Sequence, residues 1–155
     1  MAKKSAGILV YRFNKAGQPE IFLVHPGGPF WQKKDLHAWS VPKGEFDDSE
    51  DALSAAKREF REETGMEIKG ELIRLEPVRQ KSGKTVYCFA VMGDFDPAML
   101  KSNEFETEWP PHSGKKQSFP EIDKGGWFDA DTARQKINES QSALIDQLIA
   151  VLMGR

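Results

Sequence analysis

The chain holds one cysteine, Cys88, among 155 residues. An internal disulfide is therefore excluded, and a lone thiol inside an apolar run reads as a buried residue of a cytoplasmic protein. Long hydrophobic runs are missing as well. The longest early apolar stretch, Ala6 to Tyr11, is far short of the roughly 20 residues a membrane helix needs and lacks the layout of a secretory signal, so no membrane partner is expected. Neither charge sign is in excess. With 22 basic and 24 acidic residues and a net charge of -2, the whole-protein field attracts no polyanion, and a nucleic-acid partner is not expected. His25, His37 and His112 show no ligand spacing, which removes the nitrogen and sulfur donors of a zinc site and leaves them as satisfied surface or loop histidines. No repeat, linker or low-complexity tract interrupts the chain. Residues 1–155 read as a single domain, large enough for a core and open to either a monomer or a homodimer.

What is present begins with strand patterns. "SAGILVYRF" (Ser5 to Phe13) and "EIFLVH" (Glu20 to His25) flank the turn chemistry of "NKAGQP", which predicts an antiparallel pair. "AWSVP" is expected to form a short strand that Lys43 and Gly44 end. A helix is predicted from about Glu50 to Thr64, capped by Asp48 or Ser49 and stopped by Gly65. Strands are expected at Glu71 to Gln80 and Lys84 to Met92, joined as a hairpin through Ser82 and Gly83. Gly93 to Gly126, with Pro97, Pro110, Pro111 and Pro120, reads as mostly irregular. Loops of that length are uncommon unless they bind something or move. The strand "GWFDA", a short helix near Thr132 to Ile137 and an amphipathic last helix through Leu144, Ile145, Leu148 and Leu152 complete the domain.

Charge is unevenly placed within this nearly balanced total. Glu45 to Glu63 holds eight acidic residues against Lys57, Arg58 and Arg61. At 100° per residue, Leu53, Ala56 and Phe60 share a core face, while Glu59, Glu62 and Glu63 crowd the adjacent arc. Two like charges about 5 Å apart repel by roughly 3 kcal/mol at an effective dielectric near 20, and a divalent cation reverses that sign. An all-oxygen donor set favours Mg2+ or Mn2+, and such ions bind through a few carboxylates together with substrate phosphate oxygens. On charge pattern alone, a solvated helix laced by ion pairs such as Arg58 with Glu62, at i, i+4 spacing, stays open.

Spacing carries more than charge. Gly44, five residues, Glu50, seven residues, then "REFREETGM" from Arg58 to Met66 matches in full the Nudix box, Gx5Ex7REUxEExGU. The chain resembles a Nudix hydrolase. That resemblance implies an α/β fold, the Nudix-type α/β/α sandwich with a mixed central sheet. It also implies metal-dependent hydrolysis of a pyrophosphate bond in a nucleoside diphosphate linked to another group. Glu59, Glu62 and Glu63 would be metal ligands with the Gly44 carbonyl, Arg58 would orient a glutamate, and Glu50 would support the junction of loop and helix.

The general base varies in position across the family. Glu121, in "FPEIDKGGWF", is the first candidate and Glu108, in "FETEWPP", the second. Lys43, Arg79, Lys81 and Lys84 are candidates to steady phosphates. Upstream of the box, "WSVPKGE" (Trp39 to Glu45) is similar to the W-x-x-P-K-G segment of dinucleoside polyphosphate hydrolases, which turns the expected substrate toward a dinucleoside polyphosphate or a nucleoside triphosphate. Tyr87 stands a few residues beyond the usual aromatic of those enzymes. Neither the proline spacing of ADP-ribose pyrophosphatases nor the extra motif of NADH pyrophosphatases is found. Among Trp31, Trp39, Trp109 and Trp127, Trp39 and Trp109 are the candidates to touch a base. Two alternatives stay open: a nucleotide-sensing domain that binds without turnover, and an RNA 5′ pyrophosphohydrolase.

Overall fold

A computed structural model describes residues 3–154. Its central strand is β1 (Lys4–Phe13), in which every residue from Ser5 to Tyr11 is buried. A run apolar on both faces belongs in the middle of a covered sheet. It pairs antiparallel with β2 (Pro19–Pro26) and β3 (Lys43–Phe46) and parallel with β6 (Thr85–Met92). The sheet is completed by β9 (Ile122–Asp129) beside β2, and by two short strands against β6, β4 (Ile73–Arg74) and β5 (Val78–Arg79).

One face of this mixed sheet carries Ala6, Ile8, Val10, Phe22, Phe89 and Val91, covered by Ala55, Ala56 and Phe60 of α1 (Ala52–Thr64). The other carries Leu9, Tyr11, Ile21, Leu23, Cys88 and Ala90. That face is covered by α2 (Ala130–Lys136) and α3 (Ser142–Met153), through Ala133, Leu144, Ile145 and Leu148. This is the expected α/β/α sandwich. Cys88 is buried between layers, and burial pushes its thiol up to about 12.

Several local expectations are corrected. The α1 cap is Asp51, whose carboxylate accepts from the Ser54 amide, so the helix starts two residues later than expected. Gly65 closes it in the left-handed region at φ 74°, a conformation that favours glycine. "AWSVP" makes only isolated bridges, Trp39 with Ile137 and Val24 with Ser40, and the strand instead starts at Lys43. The expected strand over Glu71 to Gln80 is split into β4 and β5.

The largest correction concerns the stretch read as irregular. It contains a separate hairpin, β7 (Glu104–Glu108) with β8 (Lys116–Pro120), and then the start of β9. Prolines sit at its turn and margins, where ladder hydrogen bonds are not required of them.

Candidate active site

The site is built from β3, α1 and the segment that leads into β9. On β3, Gly44 leaves room that no other residue would leave, because a Cβ there would overlap the Glu59 carboxylate. The glutamate head is thus packed against bare backbone, and Glu59 is only 9% exposed. One residue earlier, the Lys43 amide donates to Glu63 Oε1 at 3.2 Å. The junction of β3 and α1 therefore holds two of the three helix glutamates at once.

Arg58 organises the rest. Its Nη2 donates to Glu50 Oε1 at 2.6 Å and its Nε to Glu50 Oε2 at 3.2 Å. Its Nη1 donates to Glu59 Oε1 at 2.8 Å and to Glu62 Oε2 at 3.2 Å. The guanidinium is raised above its ordinary value, chiefly by the Glu50 bond. Glu50 thus anchors the arginine, and the arginine orients the two glutamates.

Glu121 joins them from across the sequence. Its amide donates to the Asn103 carbonyl at 2.8 Å, and the Asn103 amide donates to the Glu62 carbonyl at 3.0 Å. On the other side the Gly27 amide donates to the Glu121 carbonyl at 2.8 Å. The carboxyls raise one another. Burial, then Glu59 and Glu121, push the Glu63 carboxyl up to about 8 against the Lys43 amide bond. Glu59 is raised by burial, with Glu62 and Glu121 adding to it and Arg58 opposing. Glu121, though exposed at the rim, is raised by partial desolvation and by Glu62.

Arg58 thus holds Glu50, Glu59 and Glu62, and the Lys43 amide holds Glu63. Among the described residues no three acidic, His or Cys side chains meet in metal-ligating geometry. Arg58 draws Glu59 and Glu62 to itself, and the Lys43 amide holds Glu63. The donor chemistry still fits a hard divalent cation. All donors are oxygens, and the buried Glu59 and half-buried Glu63 carboxyls are raised by burial first and by neighbouring carboxylates second, an imbalance that a cation relieves.

Around this cluster the other candidates are sorted. The Lys43 ammonium is lowered by burial and by neighbouring Lys84, while Lys84 reaches Glu45 at 3.7 Å. Both lysines are half-buried, and Glu63, Glu45 and Glu59 lie near Lys43. Tyr87 is half-buried and packs edge-on against Phe46 at 6.0 Å. Arg79 is exposed on β5 and lies over the turn at Gly83, and Lys81 is exposed in the same turn.

Trp39 is the clearest correction. It is 5% exposed, its indole N–H donates to Asp35 at 2.9 Å, and its ring is flanked by His25, Phe128 and Lys124. It offers no open face to a base. Trp127 is likewise engaged by Phe22, Phe95 and Arg12. Trp31 and Trp109 stand at the surface, Trp31 beneath Lys34 and Trp109 edge-on to Phe30 at 5.4 Å. Glu108 accepts from the His112 amide at 2.8 Å at the hairpin turn. His37 and His112 lie in exposed loops, but His25 is buried within β2, contrary to expectation.

A family model described as NUDIX domain matches residues 1–148. A rat protein named bis(5′-nucleosyl)-tetraphosphatase (asymmetrical) is 33% identical over 115 residues, which is 68% of this chain and 76% of that one. An RNA pyrophosphohydrolase of Bartonella henselae is 34% identical over 67 residues, covering 41% of this chain and 36% of that one. Among solved structures, a Caenorhabditis elegans Ap4A hydrolase binary complex superposes over 99% of this chain and 100% of its own. Its TM-score is 0.64 and its identity 23%, a likeness of fold.

Proposed function

The chain belongs to the Nudix family, and we propose that, as a Nudix pyrophosphohydrolase, it cuts a bis(5′-nucleosyl) tetraphosphate or a closely related polyphosphate. The observation that supports this reading is how the box glutamates are held: Glu59 against bare Gly44, Glu59 and Glu62 on Arg58, Glu63 on the Lys43 amide, and Glu121 tied through its backbone to the Asn103 that binds the Glu62 carbonyl. Glu59, Glu62 and Glu63, with the Gly44 carbonyl, would hold Mg2+, with Mn2+ as a substitute. Bound there, a divalent cation supplies charge neutralisation at the phosphate oxygens and a more acidic attacking water.

The protein's own groups do the rest. Glu121 stands apart from the Arg58 network, so its carboxylate is free to accept the proton of the water that attacks phosphorus. Its raised value moves it toward the range where a general base works best at neutral pH. Arg58 keeps Glu59 and Glu62 oriented while Glu50 keeps Arg58 in place. Lys43 and Lys84 neutralise the phosphates that stay bound, and the Tyr87 ring borders the same end of the sheet. The exposed Phe30, edge-on to the half-buried Trp109, offers a face to a distal base. A cytoplasmic location agrees with the reduced, buried Cys88.

A sensor that binds without turnover is disfavoured by the complete box. The RNA reading shares the chemistry and is favoured by one observation, the likeness to the RNA pyrophosphohydrolase over 67 residues. The outer face of the β7–β8 hairpin, however, carries Glu104, Glu106 and Glu108 against Lys116, so it forms no basic track. A panel of diadenosine polyphosphates, nucleoside triphosphates, ADP-ribose and 5′-triphosphate RNA, run in labelled water, tests the reading. A nucleoside monophosphate and a nucleoside triphosphate from the tetraphosphate are expected. Turnover of RNA alone would replace it.

A further inference from the structure

His25 is 1% exposed, and both of its ring nitrogens are engaged. Nε2 donates to the Lys34 carbonyl at 2.6 Å, and Nδ1 faces Asp123 Oδ1 at 2.9 Å. Its ring packs edge-on against Trp39 at 5.2 Å, and Trp39 in turn binds Asp35. One side chain therefore ties β2 to the loop over residues 27–38 and to the beginning of β9.

Asp123 is no ordinary strand residue. On β2 and β9, His25 pairs with Lys124 and Pro26 with Ile122, which leaves Asp123 unopposed as a bulge. The bulge slips the phase of the strand by one residue. Trp127 and Ile122, five apart, both reach the α1 side of the sheet, which strict alternation forbids. Such bulges re-aim side chains next to a functional site. Here the re-aimed end is Glu121, two residues from Asp123. Its backbone is fixed to Gly27 and Asn103, while the Ile122 amide donates to Ser102 Oγ at 3.0 Å.

We infer that His25 is a positioning residue: by gripping the bulged Asp123 it sets the phase of β9 and thereby aims Glu121 at the helix glutamates. The inference rests on Glu121 acting as the base. His25 itself touches no substrate, and its effect belongs in kcat rather than KM.

The two nitrogens can be removed separately. His25→Asn keeps a donor where Nδ1 stands, and His25→Gln keeps one where Nε2 stands. Asp123→Ala breaks the same grip from an exposed residue, so that folding is not at stake. With a diadenosine polyphosphate and Mg2+, Asp123→Ala and His25→Gln are expected to lower kcat by about 10- to 100-fold, with KM within about threefold. His25→Asn should stay within about threefold of the parent in kcat. In a Glu121→Gln background the Asp123→Ala loss should shrink to less than about twofold, because groups acting through one another are not additive. If Glu121→Gln is itself impaired and the Asp123→Ala loss adds to it in full, His25 does not act through Glu121 and the inference fails alone. If Glu121→Gln is as active as the parent, the base assignment fails and takes the inference with it.

Discussion

The two rims of the site are made in different ways. The α1 rim is local: Glu59, Glu62 and Glu63 fall within five residues, and helical geometry alone sets them side by side. The Glu121 rim is assembled at long range, through Asn103 to Glu62, Gly27 to Glu121 and His25 to Asp123. The first needs a cap, a stop, a glycine opposite and the nearby Glu50–Arg58 anchor. The second needs a hairpin, a bulge and a buried histidine. A carboxylate that belongs to a helix is hard to misplace, whereas one set by a clamp is sensitive to residues far from the chemistry.

The largest expected effect breaks the local rim. Glu63→Gln should lower kcat with Mg2+ by about 1,000-fold, the upper range for losing one preorganised electrostatic group. Initial rates on a diadenosine polyphosphate check it, and parental activity would contradict it. Next comes the long-range rim. Glu121→Gln should lower kcat by about 100-fold, the low end for loss of a general base, and should flatten the acid limb of the pH profile.

A third contrast lies in stability. In the metal-free protein, burial and its neighbours raise Glu63 to about 8, so the folded state binds more protons than the unfolded state between pH 4.5, its ordinary value, and about 8. Stability should therefore fall as pH rises through that window. Melting curves across the window should show the fall in the parent, a smaller one in Glu63→Gln, and its reversal in the parent by Mg2+. The smallest effect belongs to neither rim. Arg79→Ala should change KM by less than about twofold, since an exposed charge over a hairpin turn contributes little. A tenfold rise would place the β5–β6 turn in the substrate path.

The same contrast explains what the sequence disclosed. Arg58 and the three helix glutamates share α1, where spacing along the chain is spacing in space, whereas Gly44 on β3 and Glu50 ahead of the cap were named only through the Nudix box. The central strands were legible because β1 and β6 are apolar on both faces. Glu121 was named only as one of two loop acids, since nothing in "FPEIDKGG" states that Asn103 and Gly27 flank it. The β7–β8 hairpin was read as irregular because its strands are short and polar, with Glu104, Glu106 and Glu108 on one face and alternation too weak to count. His25 was read as a loop or surface residue because a buried histidine is recognised by its partners, and Lys34 and Asp123 are distant in sequence. Trp39 misled for the opposite reason: the family-like segment around it is real, but the ring that anchors it faces the core.

The most direct test of the carboxylate cluster is Mn2+ uptake, followed by electron paramagnetic resonance in the presence of a non-hydrolysable diadenosine polyphosphate. The parent should take up at least one ion per chain, and Glu63→Gln should need roughly tenfold or more Mn2+ for the same occupancy, as expected when a ligand is lost. Equal uptake by both proteins, or none by the parent, would contradict the account.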